Sequence, residues 1–280
     1  MFLFLLVLDF FQMAAFPLSI SKGMPWGGTP IEVVGFGLSF ISTGVADLVG
    51  GLTVFKVLLG VATAWVVVFL ALVLRVGHNF LVNAPQNEVV LRLLRGISLL
   101  STTTLFLPLS GVLFRALACP NPQSWFGTGW QCDSGARVVL AIVLGCTLII
   151  FSSLSLWVAA VFVDRDPTST SWSAMSHGRV HIGLIVIKLI LSFLFNTLGE
   201  NLQGHWFLTG VMIVAGAIWY WQVVSRLVMI TPWVNHLQAG FAATFTWLGI
   251  CVALAQSFTG TQVWVLVVGA TPFVLIVGYF

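Results

Sequence analysis

The segment LTVFKVLLGVATAWVVVFLALVLR, from Leu52 to Arg75, decides the class of fold. Lys56 is the only charged residue in it before the terminal arginine, and the rest is continuously apolar or weakly polar. A bilayer core about 30 Å thick is crossed by roughly 20 apolar residues in a helix. Backbone amides in lipid are satisfied inside helices or closed barrels, and a continuous apolar run favours the helix over the alternating pattern of a barrel strand. The segment therefore predicts a membrane-spanning helix.

Seven further apolar runs extend this prediction to the whole chain. Only 7% of the 280 residues are charged and the mean hydropathy is +1.07, whereas about a quarter of the residues of a soluble domain are charged. We predict an all-α, polytopic transmembrane helical bundle of about eight spans, within a range of seven to nine, that forms a single domain over residues 1–280. The lipid bilayer is then its main partner. The eight runs are 1–18, 52–75, 94–118, 138–163, 180–198, 206–229, 239–255 and 263–280.

Lysine and arginine in the connections predict the orientation of the bundle. If all eight runs cross, six of these residues fall on one side and three on the other, which favours cytosolic N and C termini. The connection 19–51 is then external, and its moderately apolar second half, from Ile31 to Val49, suits a re-entrant or interfacial helix. The six are Arg75, Arg92, Arg95, Arg165, Arg179 and Arg226, and the three are Lys22, Arg115 and Arg137.

Two cysteines bracket the second long connection, residues 119–136, which the same orientation places outside. Cys119 and Cys132 enclose the segment PNPQSWFGTGWQ. Disulfides form and persist in external compartments, so we predict a bridge between the two, with a pair of unbridged loop thiols as the alternative. The remaining cysteines, Cys146 and Cys251, lie inside apolar runs and are expected to be packing residues.

Three ionisable residues fall within apolar runs, where a charge is unfavourable unless it is paired, hydrated or close to an interface. Lys56 lies near the end of its run, so its stem reaches the interface. Lys188 and Asp9 lie at mid-depth in their own runs. Three arrangements remain open for Lys188: an interior pair with Asp9, a hydrated crevice with hydroxyl or carbonyl partners, and an ion or ligand site.

Other polar features of the runs have structural explanations. Pro108 removes one helical hydrogen bond and is expected to kink the third run. The cluster Ser101 to Thr104, and Ser152-Ser153 with Ser155 in the fourth run, are expected to bond their own helix or a neighbour. His177 and His181 are four residues apart and share a helix face, but no cysteine or carboxylate accompanies them at ligand spacing.

Patterns typical of catalysis are absent from the sequence. It contains no phosphate-binding loop, no HExxH and no GxSxG motif. The net charge of +3 is small and dispersed, which argues against nucleic-acid binding. We therefore expect a protein that is not an enzyme, with no catalytic or metal-binding residues and no cofactor.

A series of short motifs carries a family resemblance over nearly the whole chain. In this order they resemble the polytopic membrane region of the large TmcB-like proteins of green algae and other protists. The resemblance implies a membrane region followed by cytosolic modules, often PAS-type sensor domains, and hence cytosolic domains in cis beyond Phe280. It assigns no active-site residue. The motifs are Asp9-Phe-Phe-Gln12, Phe16-Pro-Leu-Ser19, Met24-Pro-Trp-Gly27, Leu113-Phe-Arg-Ala-Leu-Ala-Cys119 and Gly129-Trp-Gln-Cys132.

We thus expect a non-enzymatic multi-span membrane module, the anchoring or sensory input region of a larger protein. Two alternatives remain open. A transporter or channel would carry internal repeats and broken spans lined by polar groups. A small-molecule membrane receptor would hold its ligand beneath the external loop, where Trp125 and Trp130 flank a turn.

Overall fold

The chain is helical in the computed structural model, which describes residues 2–18, 25–26, 30–41, 52–118, 135–161, 178–198, 202–226, 231–257 and 263–279. No strand occurs within these ranges, so the predicted all-α class is confirmed for them. The helices are α1 (Phe2–Leu18), α2 (Pro30–Ile41), α3 (Leu52–Leu81), α4 (Glu88–Thr102), α5 (Phe106–Ala118), α6 (Gly135–Val161), α7 (Gly178–Leu198), α8 (Leu202–Arg226), α9 (Pro232–Ser257) and α10 (Val263–Tyr279).

Five of the described helices are long and apolar enough to cross a membrane, namely α3, α6, α7, α8 and α9. The pair α4 and α5 makes a sixth candidate if the two halves are one bent span. Helices α1 and α10 are also apolar but shorter. The chain therefore has five or six candidate spans by length and composition, and the count of eight and the cytosolic termini remain predictions.

The third apolar run is two helices rather than one. Helix α4 ends at Thr102, α5 begins at Phe106, and the two are bent by 64°. The break lies just ahead of Pro108, on the side where the missing amide hydrogen leaves the carbonyl of Thr104 without a helical donor. That the proline causes the bend remains a prediction. Pro108 lies in the first turn of α5, where a missing amide hydrogen is tolerated.

Two groups of buried side chains form the core, and α7 lies between them. One group joins α1, α8, α9 and α10 to Leu184, Leu191 and Phe195 of α7. The other joins α3, α4, α5 and α6 to Ile185 of the same helix. Apolar residues at nearly every position of α7 allow it to pack on both sides. Lys188, at the middle of α7, is fully buried between these groups, whereas Val186 and Ile190 on the opposite face are exposed.

Helices α9 and α10 approach closely at two glycines. A methyl group added to Gly240 would lie 2.8 Å from the carbonyl oxygen of Leu275, and one added to Gly278 would lie 2.7 Å from the Cβ of Ala243. Small residues of this kind let helix backbones pack against each other within a membrane, where van der Waals contact is a main source of helix association. The α9–α10 contact therefore depends on the absence of side chains at these positions.

We expect Gly240→Ala to lower the stability of the bundle by about 1–3 kcal/mol, because the added methyl meets backbone that must shift. Gly269→Ala in α10 is the matched control, since an added methyl there has no neighbour within 4 Å. Alanine favours a helix over glycine by about 1 kcal/mol, so the control should be neutral or slightly stabilising. Thermal unfolding in detergent measures both, and equal melting temperatures for the two variants would contradict the close contact.

Candidate functional site

A buried ion pair joins α1 to α7. The Nζ of Lys188 donates a hydrogen bond to Oδ1 of Asp9. The side chain of the lysine is fully buried and that of the aspartate is 8% exposed. Pairing neutralises both charges, which is how ionisable groups are accommodated inside a membrane bundle. Of the three arrangements left open for Lys188, the structure shows the interior pair.

Helix α1 makes a second polar contact one turn beyond Asp9. The Nε2 of Gln12 donates to the carbonyl oxygen of Thr104 at 2.6 Å. In a continuous helix that carbonyl would accept from the amide of residue 108, but Pro108 has no amide hydrogen. The next bond in the series, from the amide of Leu109 to the carbonyl of Leu105, is formed at 3.0 Å. Gln12 therefore supplies the donor that the proline lacks.

A third polar contact joins α5 to α7. The hydroxyl of Ser110 donates to that of Ser192 at 3.3 Å, and both serines are fully buried. Asn196 donates from Nδ2 to the carbonyl oxygen of Ser192 at 2.6 Å. Lys188, Ser192 and Asn196 are spaced four residues apart, so they form one polar strip along α7. This strip is where α1 and α5 both meet α7.

We refer to these contacts together as the polar seam. It ties α1 to α7 and to the break between α4 and α5, and it ties α5 to α7. Its groups bond one another, so they can hold three helices in a fixed arrangement. Movement of any of these helices would change the bonds. The polar seam comprises Asp9, Gln12, Thr104, Ser110, Lys188, Ser192 and Asn196.

Arg115 lies near the end of its helix, as its position in the predicted run 94–118 implies, but it is buried. It is in the last turn of α5 and is 2% exposed. A guanidinium in the last turn of a helix interacts favourably with the helix dipole. Sequence reasoning missed its burial because the apolar residues around it continue on both sides.

The hydroxyl cluster before the break bonds as expected. Thr102 and Thr103 donate to the carbonyls of Ser98 and Leu99 at 2.9 and 2.6 Å. Ser101 accepts from Nε1 of Trp65 in α3 at 2.9 Å. The prediction that these side chains bond their own helix or a neighbouring one is confirmed for Ser101, Thr102 and Thr103. It is wrong for Ser152 and Ser155 of α6, whose buried hydroxyls have no hydrogen-bond partner among the residues that the structure describes.

The other predicted residues are scattered. Lys56 is exposed near the start of α3. Cys251 is buried, but Cys146 is exposed on α6, so its expected role in packing within the chain was wrong. His181 is partly buried in α7. Within the described ranges no three histidine, cysteine or carboxylate side chains are grouped as metal ligands. Cys119 and Cys132, with Trp125, Trp130 and His177, lie outside the described residues.

Sequence reasoning missed two contacts of the polar seam, those of Gln12 and of Ser110. The sequence does contain residue spacings that are consistent with these contacts. Asp9 and Gln12 lie three residues apart on one face of α1, and the strip on α7 repeats every four residues. Such spacings show which residues share a face, but they do not show which helix that face meets.

Two proteins of Dictyostelium discoideum are similar to the chain over almost its whole length. Tiny macrocysts protein C is 25% identical over 302 residues, covering 98% of this chain and 20% of that protein. Tiny macrocysts protein B is 22% identical over 284 residues, covering 98% of this chain and 19% of that protein. The chain therefore spans about a fifth of the length of these relatives. No protein-family profile and no solved structure matches it.

These similarities support the predicted relation to TmcB-like proteins at a low level of identity. They come from Dictyostelium rather than from the green algae named by the resemblance. That the matched fifth of each relative is a membrane region remains a prediction.

Proposed function

We propose that the chain is a non-enzymatic multi-span membrane module that serves as the anchoring or sensory input region of a larger protein. The observation that carries this proposal is the polar seam. Its buried charges are paired with each other, and Gln12 and Ser110 bond groups of other helices. Such a network is suited to a membrane module whose helices must keep, or change, a defined arrangement relative to one another.

The comparisons add a second line of support. Both relatives match this chain almost end to end with only about a fifth of their own length. A segment that recurs in this way within larger proteins has the character of a module. The seam would then connect events in the membrane to whatever domains such a protein carries.

A membrane-retention assay on the full chain tests the anchoring role. With a soluble fluorescent protein fused after Phe280, we expect the reporter to remain with membranes after alkaline carbonate extraction. Lys56→Met changes only an exposed lysine and should be retained equally. Release of the wild-type fusion into the soluble fraction would contradict the proposal.

A transporter is the second candidate, and the broken span favours it. Many secondary transporters bind substrates where a span is interrupted and its backbone is unwound. Here the break between Thr102 and Phe106 lies beside Gln12 of the polar seam. The lipid-facing groove between α7 and α8, about 390 Å³ in volume, gives no support, because its lining is wholly apolar.

Flux measurements separate the two candidates. Proteoliposomes that contain the full chain and a proton or potassium gradient should lose the gradient no faster than protein-free vesicles. The same slow loss is expected for the Asp9→Leu/Lys188→Met variant. A faster loss by the wild type that this variant abolishes would overturn the module in favour of a transporter.

A further inference from the structure

Two basic residues of α3 have a spacing that matches the two surfaces of a bilayer. Lys56 and Arg75 are 19 residues apart, and no charged residue lies between them. At 1.5 Å per residue this distance is about 28 Å, close to the thickness of the hydrocarbon core of about 30 Å. Arg75 is exposed, and with Lys56 at one surface this spacing would place Arg75 near the lipid phosphates of the other.

Beyond Arg75 the chain turns back in a tight, well-bonded connection. Asn83 adopts a positive φ of 51°, typical of a residue that ends a helix. Ala84 donates its amide to Asn79 at 2.9 Å, and Gln86 donates from Nε2 to the carbonyl of Val76 at 3.2 Å. Asn87 caps α4 by accepting from the amide of Val89 at 2.9 Å. The hairpin formed by α3 and α4 is thus held in one shape.

The antiparallel register of this hairpin places further arginines at the same depth. The bond between Trp65 and Ser101 joins the two helices. With Trp65 and Ser101 at the same level and the two helices antiparallel, the position opposite Arg75 is residue 91. Arg92 lies one residue from that position, and Arg95 lies about one turn from it. All three arginines are exposed. Three guanidinium groups therefore lie in one band about 6 Å deep.

The only acidic residue of the hairpin partly balances this charge. Glu88 accepts from Arg92 at 2.5 Å, in an exposed pair one turn apart. Three arginines and one glutamate leave this end of the hairpin, residues 75–95, with a charge of +2. Beyond Arg75 the last turn of α3 is also apolar: Phe80 and Leu81 are 78% and 82% exposed.

We propose that the α3–α4 hairpin binds the headgroups of anionic phospholipids through Arg75, Arg92 and Arg95. Arginine pairs with phosphate through two parallel N–H donors, and its planar group is weakly hydrated. Basic residues near a membrane surface attract anionic lipids, which are concentrated in the cytoplasmic leaflet. The hairpin lies on the side that the charge count predicts to be cytosolic. The spacing that places the arginines near the lipid phosphates favours a lipid over a soluble phosphate as the bound group.

Spin-labelled lipids measure this preference directly. We expect the wild-type chain in phosphatidylcholine membranes to retain spin-labelled phosphatidylserine over spin-labelled phosphatidylcholine. Each arginine near the surface contributes about fivefold in affinity, the equivalent of about 1 kcal/mol. Arg75→Gln/Arg95→Gln should therefore remove most of the preference, and Glu88→Gln should increase it by freeing Arg92.

A control of equal charge change distinguishes a local site from a general charge effect. Lys56→Gln/Arg226→Gln removes two exposed basic residues away from the arginine-bearing end of the hairpin and should leave most of the preference intact. Raising the salt to 0.5 M should weaken binding in the wild type. Equal losses in the two double variants, or an unchanged preference in Arg75→Gln/Arg95→Gln, would overturn the proposal. So would full competition by millimolar inorganic phosphate. None of these outcomes depends on whether the chain anchors, senses or transports.

Discussion

Lys188→Met should destabilise the protein by about 3–5 kcal/mol, one of the largest losses expected for a single substitution here. Methionine has nearly the length of lysine, so the packing around position 188 is preserved. The change leaves the carboxylate of Asp9 buried without the ammonium that it bonds. Removing one partner of a buried ion pair is strongly unfavourable, because the remaining charge is no longer compensated. Asp9→Leu should be comparably harmful, since it strands the lysine.

The double variant Asp9→Leu/Lys188→Met provides the decisive comparison. It removes both charges at once, and buried pairs replaced by apolar residues often leave stability unchanged. We expect it to be more stable than the sum of the single losses predicts, by at least about 2 kcal/mol. Reversible unfolding in detergent or mixed micelles measures all three variants.

Lys56→Met is the matched control for this cycle. It makes the same substitution at a lysine that is exposed near the start of α3, and it should change stability by less than about 0.5 kcal/mol. Strictly additive losses in the Asp9 and Lys188 variants would show that the pair contributes no coupling, and that the seam is not held by its charges.

The membrane class of the fold was predictable because it depends on composition alone. A helix such as α3 satisfies its own backbone, so a continuous apolar run identifies it without knowledge of its neighbours. The same reasoning is weaker for α1 and α10, which are apolar but shorter than the other candidates. Where a run is shorter than the bilayer requires, its crossing depends on tilt and neighbours, which sequence periodicity does not report.

The polar seam was only partly predictable. Asp9 and Lys188 are conspicuous because charges are rare in apolar runs, and their opposite signs suggest that the two residues pair. Gln12 carries no charge, and its partner is a backbone carbonyl, which every residue has. Only the break in the third run makes that carbonyl available. Arg115 shows a different limit, because its place near the end of the run 94–118 was predictable and its burial was not.

The break between α4 and α5 leads to the second large predicted effect. The stability lost in Gln12→Met should depend on whether residue 108 is proline. Gln12→Met keeps the length of the side chain and removes the donor to the carbonyl of Thr104. Loss of a buried hydrogen-bond partner is expected to destabilise the protein by about 1–3 kcal/mol. In the Pro108→Ala background the amide of residue 108 becomes a donor to the same carbonyl. The loss caused by Gln12→Met should then fall below about 1 kcal/mol.

Gln86→Met is the control that gives this cycle its meaning. Gln86 also donates from Nε2 to a backbone carbonyl, that of Val76, but far from the proline in sequence and in a different connection. Its loss should be the same with Pro108 or with alanine at that position, because distant sites are additive within about 0.5 kcal/mol.

If Gln12→Met is equally harmful in both backgrounds, the glutamine does not replace the missing amide, and the link between α1 and the break has another origin. If the loss disappears only when residue 108 can donate, then the break and the position of α1 are energetically coupled. A movement of α1 would in that case change the balance between a broken and a continuous third span.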